Sequence, residues 1–146
     1  MTNDKSISIL NDVLETLVDS RDGYEKAAEV ADRDTFKQFF SRRAASRNAM
    51  VAKTQDEIRH LGGEPVDEGT ILAKAHRMFL SISAAVQDND EAAIEAVDDG
   101  EEHLRNKVND AIANDELSPN AKTMLQGFNG ELRADGRLID YLEDSV

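Results

Sequence analysis

The run DDGEEHLRN, residues 98–106, sets four carboxylates and an imidazole around a glycine. Carboxylate and imidazole are hard-to-borderline donors, the set that iron and manganese accept. A second metal-type spacing is Glu57-Ile58-Arg59-His60, a Glu-x-x-His, with Glu25 upstream of it. A di-iron helical protein takes one Glu from each of two helices and a Glu-x-x-His from each of two others, all converging at one level. The chain has no cysteine, so thiolate metal sites, thiol catalysis and disulfides are excluded. No nucleophile–base pair, phosphate loop or cofactor motif is visible, and His76 and His103 read as surface residues.

The elements that must position these groups read as helices throughout. Leu10, Leu14, Leu17, Tyr24, Ala28 and Ala31 follow a 3-4 spacing and predict a first helix over about 5–30, with Asp32 and Asp34 as turn and N-cap residues. A second helix over about 34–61 carries Phe36, Phe40, Met50, Ile58 and Leu61, with Arg43 and Arg47 in the same stripe; Gly62-Gly63 ends it. A third is expected over 70–87 (Ile71, Leu72, Ala75, Phe79, Ile82, Val86). Asp88 with Glu91 has N-cap and N3 spacing for a fourth, which runs to about 114 through Ile94, Val97, Leu104, Val108 and Ile112. Ser118-Pro119 opens the last, with Met124, Leu125, Phe128, Leu132, Leu138 and Leu142 as its stripe. The fold class is all-α, in one domain spanning residues 1–146.

Connection lengths select a topology. Short turns near 32 and 116 make two antiparallel hairpins. The link between them holds a helix of some 17 residues, roughly 26 Å at 1.5 Å per residue, long enough to cross most of a bundle. A four-helix bundle with one long crossover between its second and third long helices is the ferritin-like arrangement.

The segments SRDGYEKAAEVAD, HLGGEPVDEGT and AHRMF, the Arg47 region and the DDGE step at 98–101 resemble a bacterial family of ferritin-like four-helix-bundle proteins, a domain-of-unknown-function family. The similarity covers nearly the whole chain and rests on the order and spacing of several short motifs. The resemblance implies a ferritin-like fold and brings no established activity. Wider relatives such as rubrerythrins and bacterioferritins are di-iron proteins, which makes metal binding the hypothesis to test.

Helix geometry sorts the candidates. Glu25 lies seven residues from the turn near 32 and Glu57 lies twenty-five, a height difference of roughly 27 Å, so they cannot share a metal. On the other hairpin Glu101 and Glu131 are nearly equidistant from the turn and face each other. Glu101 falls in the stripe 94, 97, 101, 104, 108 and points inward, while Asp99, Glu102 and His103 project sideways or out. The last helix has Ala134 where Glu-x-x-His would place histidine, and Asp135 follows. A crossover that makes the second and fourth helices parallel brings Glu101 near the level of Arg21, Asp22 and Arg43. Arginine brings positive charge to the place a metal would occupy, so two readings compete: a core network of Arg21, Arg43, Arg47 and Glu101, or a metal site on Glu101 and Glu131 with Asp22, Glu25 or Asp135 as further oxygen ligands. Gly23 and Gly100 suggest close helix approach or a local bend, and Tyr24 is expected in the core with its hydroxyl satisfied locally.

A net charge of -13 offers no basic patch to release phosphate counterions, which argues against nucleic acid and anionic membranes. The most apolar run, 78–86, is too short to span a bilayer and no secretory signal is visible, so a cytoplasmic bacterial protein is expected. The favoured function is a non-catalytic ferritin-like bundle, without cofactor, acting in stress adaptation or as a protein-interaction module and self-associating through leftover apolar faces. The alternative is an iron- or manganese-dependent oxidoreductase or metal-storage protein.

Overall fold

Proline, which cannot lie inside a helix without breaking it, occurs at only two positions: 65, in the link between two helices, and 119, the first residue of another. A computed structural model describes residues 3–74 and 77–145 of the chain. Six helices follow in order: α1 (Asn3–Val30), α2 (Asp34–His60), α3 (Glu68–Lys74), α4 (Arg77–Asp88), α5 (Asp90–Ile112) and α6 (Pro119–Ser145). No strand occurs among the described residues, and the protein is all-α. No helix among them is long and apolar enough to cross a membrane.

The helix ends agree with the sequence in two places and correct it in two. Gly62, at φ 91, closes α2 with a Schellman-type cap in which Gly62 N donates to Arg59 O and Gly63 N to Ile58 O. Ser118 Oγ accepts from Ala121 N at 3.3 Å, with Pro119 as the first residue of α6. The α2 N-cap is instead Arg33, which makes no side-chain cap bond; Asp34 lies inside the first turn, where its charge still favours the helix dipole. Asn89, not Asp88, caps α5 by accepting from Ala92 N at 2.7 Å, because Asp88 is the last residue of α4. The helix expected over 70–87 is described as α3 up to Lys74 and as α4 from Arg77. Ala75 and His76 lie outside the described residues, as do the side chains of Phe79, Leu138 and Leu142.

α1 packs against α2, α3, α4 and α5, and α5 packs also against α4 and α6. Side-chain clamps fix the end where α1 starts. Ser6 Oγ donates to Glu116 O and accepts from Ser118 N, tying α1 to the α5–α6 connection. Asn11 holds the link after α2, accepting from Val66 N at 2.8 Å and donating to Glu64 O. At Gly63 the chain passes so close to α1 that an added Cβ would lie 2.7 Å from Ile7 Cδ1, which is why glycine is needed there. The opposite end is pinned by an ion pair between Arg33 and Asp90.

Two apolar clusters form the interior. One, built on Leu10, Leu14, Leu17, Ile58, Leu104 and Leu125, fills the end where α1 begins. The other, built on Tyr24, Ala27, Phe40, Ile82, Ile94 and Val97, fills the end where α1 finishes. Each fully buried Leu or Ile contributes about 1.5–3 kcal/mol. Among the described residues the clusters share no member, and buried charge separates them.

Candidate functional site

The buried face of α2 reads Phe40, Arg43, Ala44, Arg47, Met50, Val51, Thr54, Ile58. This is an apolar 3-4 stripe interrupted by two guanidiniums, so helical phase carries Arg43 and Arg47 to where leucines would ordinarily sit. Arg47 has no solvent exposure and Arg43 has 4%. On α5 the stripe Ile94, Val97, Glu101, Leu104, Val108 does the same with a carboxylate, and Glu101 is 1% exposed. Between the two clusters these charges meet.

Glu101 Oε1 accepts three hydrogen bonds: from Arg43 Nη1 at 2.9 Å, from Arg47 Nη2 at 2.5 Å and from the Tyr24 hydroxyl on α1. Arg47 Nη2 also donates to Asp135 Oδ2 on α6 at 2.9 Å, and Arg43 Nε lies 3.7 Å from the same oxygen. Arg47 Nη1 donates to Ser46 Oγ at 2.9 Å, and Ser46 Oγ donates to Glu131. Aromatic faces complete the surroundings, with the Arg43 guanidinium 4.7 Å from the Phe39 ring centroid and 5.7 Å from that of Tyr24. Arg47 lies 5.9 Å from the Tyr24 centroid. Such placements add cation–π attraction that grows with desolvation. Glu101 Oε2, Arg43 Nη2 and Arg47 Nε make no hydrogen bond, so one carboxylate oxygen is saturated and the other is not.

Electrostatics follow from this geometry. Burial pushes the Glu101 carboxyl up, but the charges of Arg47 and Arg43 and the Tyr24 hydroxyl outweigh it and hold it below the usual carboxylate range. Burial pulls the Arg47 guanidinium down, and the Glu101 charge, Tyr24 and Asp135 together more than reverse that, so Arg47 stays charged. The Tyr24 phenol is raised well above its ordinary value, by burial first and by the Glu101 charge second, and it remains a neutral donor. Glu101 and Arg47 are therefore held as a fixed ion pair, with Tyr24 as its neutral donor.

The other predicted residues are distributed differently. Arg21 does not join the network, contrary to the sequence expectation. It donates to Asn48 at 3.2 Å, to Asp22 at 3.2 Å and pairs with Glu68 of α3 at 2.8 Å. Tyr24, three residues on and rotated roughly 60° about α1, takes the direction toward Glu101, while Arg21, also buried, reaches α2 and α3. Glu25 is largely exposed, 3.9 Å from Arg21 Nε. Glu131 stands exposed on α6 and turns to Ser46, while Asp135, half-buried, reaches Arg47. His60 and His103 are exposed, and Asp56 pairs with Arg59 rather than with His60. Sequence reasoning missed Tyr24 as a partner of Glu101. A buried phenol needs a partner, but nothing local showed that it lies 77 residues away.

The donors around Glu101 do not suit a metal ion. A divalent cation needs several oxygen or imidazole ligands facing one point, and here two guanidiniums occupy that sector and repel it. Glu131, the second expected ligand, faces outward. No group of three or more His, Asp or Glu among the described residues is placed to hold a metal.

A family model described as a domain of unknown function, DUF2383, matches residues 5–114, which include Tyr24, Arg43, Arg47 and Glu101. No curated protein and no solved structure matches the chain.

Proposed function

The chain belongs to the DUF2383 family, and we propose that it is a non-catalytic ferritin-like bundle acting through protein contacts, with an arginine–glutamate–tyrosine network in place of a di-metal centre. The observation that carries this reading is the convergence of Arg43 and Arg47 on one oxygen of Glu101. Two fixed positive charges within hydrogen-bonding distance of the only fully buried carboxylate among the described residues oppose a dication there by Coulomb repulsion, which low dielectric strengthens. The order of helices supports the ferritin-like reading, since α1 and α2 form one hairpin, α5 and α6 another, and α3 with α4 makes the long crossover.

The competing reading, an iron or manganese carboxylate protein, is separated by metal analysis. Protein purified without chelator and loaded with Fe(II) or Mn(II) is expected to retain no stoichiometric metal after desalting. Stoichiometric iron that disappears in Glu101→Gln would overturn the proposal. Protein contact is supported by the partly exposed apolar side chains of Met124 on α6 and of Phe36 and Phe39 on α2, which line two pockets that share Ser46. Self-association through them predicts a dimer or larger species by analytical ultracentrifugation at high concentration. A clean monomer removes that part.

A further inference from the structure

A second set of guanidinium groups converges on the α5–α6 hairpin, apart from the Glu101 network. Asp98 and Arg105 of α5 and Arg133, Gly136 and Arg137 of α6 line a pocket of about 310 Å³. In a chain of net charge -13, three arginines against one carboxylate leave this lining two charges positive. Arg105 is its inner member. It is half-buried, and its Nη1 is shielded from solvent without a hydrogen-bond partner. A desolvated guanidinium N–H with no acceptor is unfavourable, so the site favours whatever anion supplies one. α6 passes against that nitrogen at Gly136, where a Cβ would lie 3.4 Å from Arg105 Nη1, so an acceptor meets it as the Arg105 side chain turns toward the pocket. Arg133 and Arg137, one turn apart on α6, are exposed at the mouth of the pocket. Asp98 has an interaction of its own and limits the positive surplus.

From this we infer that the pocket binds a small phosphate-type oxyanion, either free phosphate or the phosphoryl group of a small phosphomonoester. Arginine forks match tetrahedral oxyanions through paired N–H donors, which lysine cannot do. Three forks suit three non-bridging oxygens; a carboxylate, with two oxygens, leaves one fork unused. The protein's overall negative charge does not prevent this, because at 0.1 M salt charges beyond about 10 Å are largely screened and the local surplus dominates.

The test is a titration of the full-length, isotope-labelled protein with inorganic phosphate and, separately, glycerol 3-phosphate, each matched in ionic strength with sodium chloride. Saturable backbone shifts confined to residues near 98–105 and 133–137 are expected, at 1:1 stoichiometry. Arg105→Gln is expected to weaken binding at least tenfold. Gly136→Val, whose added methyls hold the Arg105 guanidinium from turning while keeping every charge, weakens it comparably, whereas Arg59→Gln, exposed and paired with Asp56 on α2, leaves it unchanged. Should Arg105→Gln fail to fold, as judged by its helical circular dichroism, Arg133→Gln at an exposed position carries the same test. Tighter binding of glycerol 3-phosphate assigns the site to an ester, and equal binding assigns it to free phosphate. Linear shifts that chloride reproduces, or an affinity unchanged in Arg105→Gln and Arg133→Gln, overturn the inference.

Discussion

Two arginine–glutamate pairs in this protein share their chemistry and differ in almost everything else. Arg47 meets Glu101 at 2.5 Å with both side chains almost wholly buried, while Arg21 meets Glu68 at 2.8 Å with the Glu68 side chain 40% exposed. Both carboxyls are held below the usual range, but for different reasons. At Glu101 burial opposes ionisation and two guanidiniums override it. At Glu68 the Gln55 hydrogen bond comes first, burial opposes it, and the Arg21 hydrogen bond and charge add to the lowering. The comparison teaches that distance does not rank ion pairs; the alternative open to each partner does. Glu68 released from Arg21 finds water, and Glu101 released from Arg47 stays in the core.

The largest expected effect breaks the buried side of the comparison. Glu101→Ala leaves Arg43 and Arg47 buried without their shared counter-charge and is expected to destabilise by about 3–5 kcal/mol in urea unfolding. A change near zero would erase the distinction between the two pairs. Tyr24→Phe removes one donor to the ionised Glu101 while keeping the ring under both guanidiniums, and a loss of about 1.5–3 kcal/mol is expected. A neutral result in the same assay would mean that the two arginines alone satisfy that oxygen.

Acid sharpens the contrast next. A carboxyl whose folded pKa lies below its unfolded value, about 4.3 for glutamate, contributes stability that is fully present above that value and is lost as pH falls through the folded pKa. Wild type is therefore expected to lose stability more steeply below about pH 4.3 than Glu101→Gln, which has no proton to take up there. Parallel pH profiles from thermal melts would contradict the assigned direction. The smallest effect belongs to the pair whose carboxylate is exposed. Glu68→Gln is expected to cost about 0–1 kcal/mol and to cost less still in 1 M salt, because exposed pairs are weak and screened. A loss comparable to that of Glu101→Ala would show that α3 docking depends on Glu68 far more than its exposure implies.

Much of the fold was legible because helical period and cap chemistry are local. The stripe 94, 97, 101, 104, 108 placed Glu101 inward, and all five positions are buried. Gly62-Gly63 and Ser118-Pro119 marked real helix ends. Asp88 and Asn89 were confusable because both residue types cap well, and only the backbone, extended at Asn89, chose between them.

The candidate site was legible only by halves. Periodicity shows on which side of its own helix a residue lies, and that sufficed for Arg43, Arg47 and Glu101. It does not show which neighbouring helix that side meets, so Arg21 was grouped with Glu101 by level when it faces Asn48 and Glu68. Glu131 was likewise level-matched to Glu101, yet it turns to Ser46.

By itself, then, the sequence determined an acidic, all-helical chain whose long helices carry continuous apolar stripes, with two arginines and one glutamate set into them by the 3.6-residue period. Tertiary structure alone decided what those charges meet. Long side chains reach across helix interfaces in directions that local propensity does not encode, and burial turns a contact into an energetic commitment only after the helices have closed around it. Glu101 took its counter-charge from arginine because α2 presents two guanidiniums, and α1 a phenol, to the same oxygen.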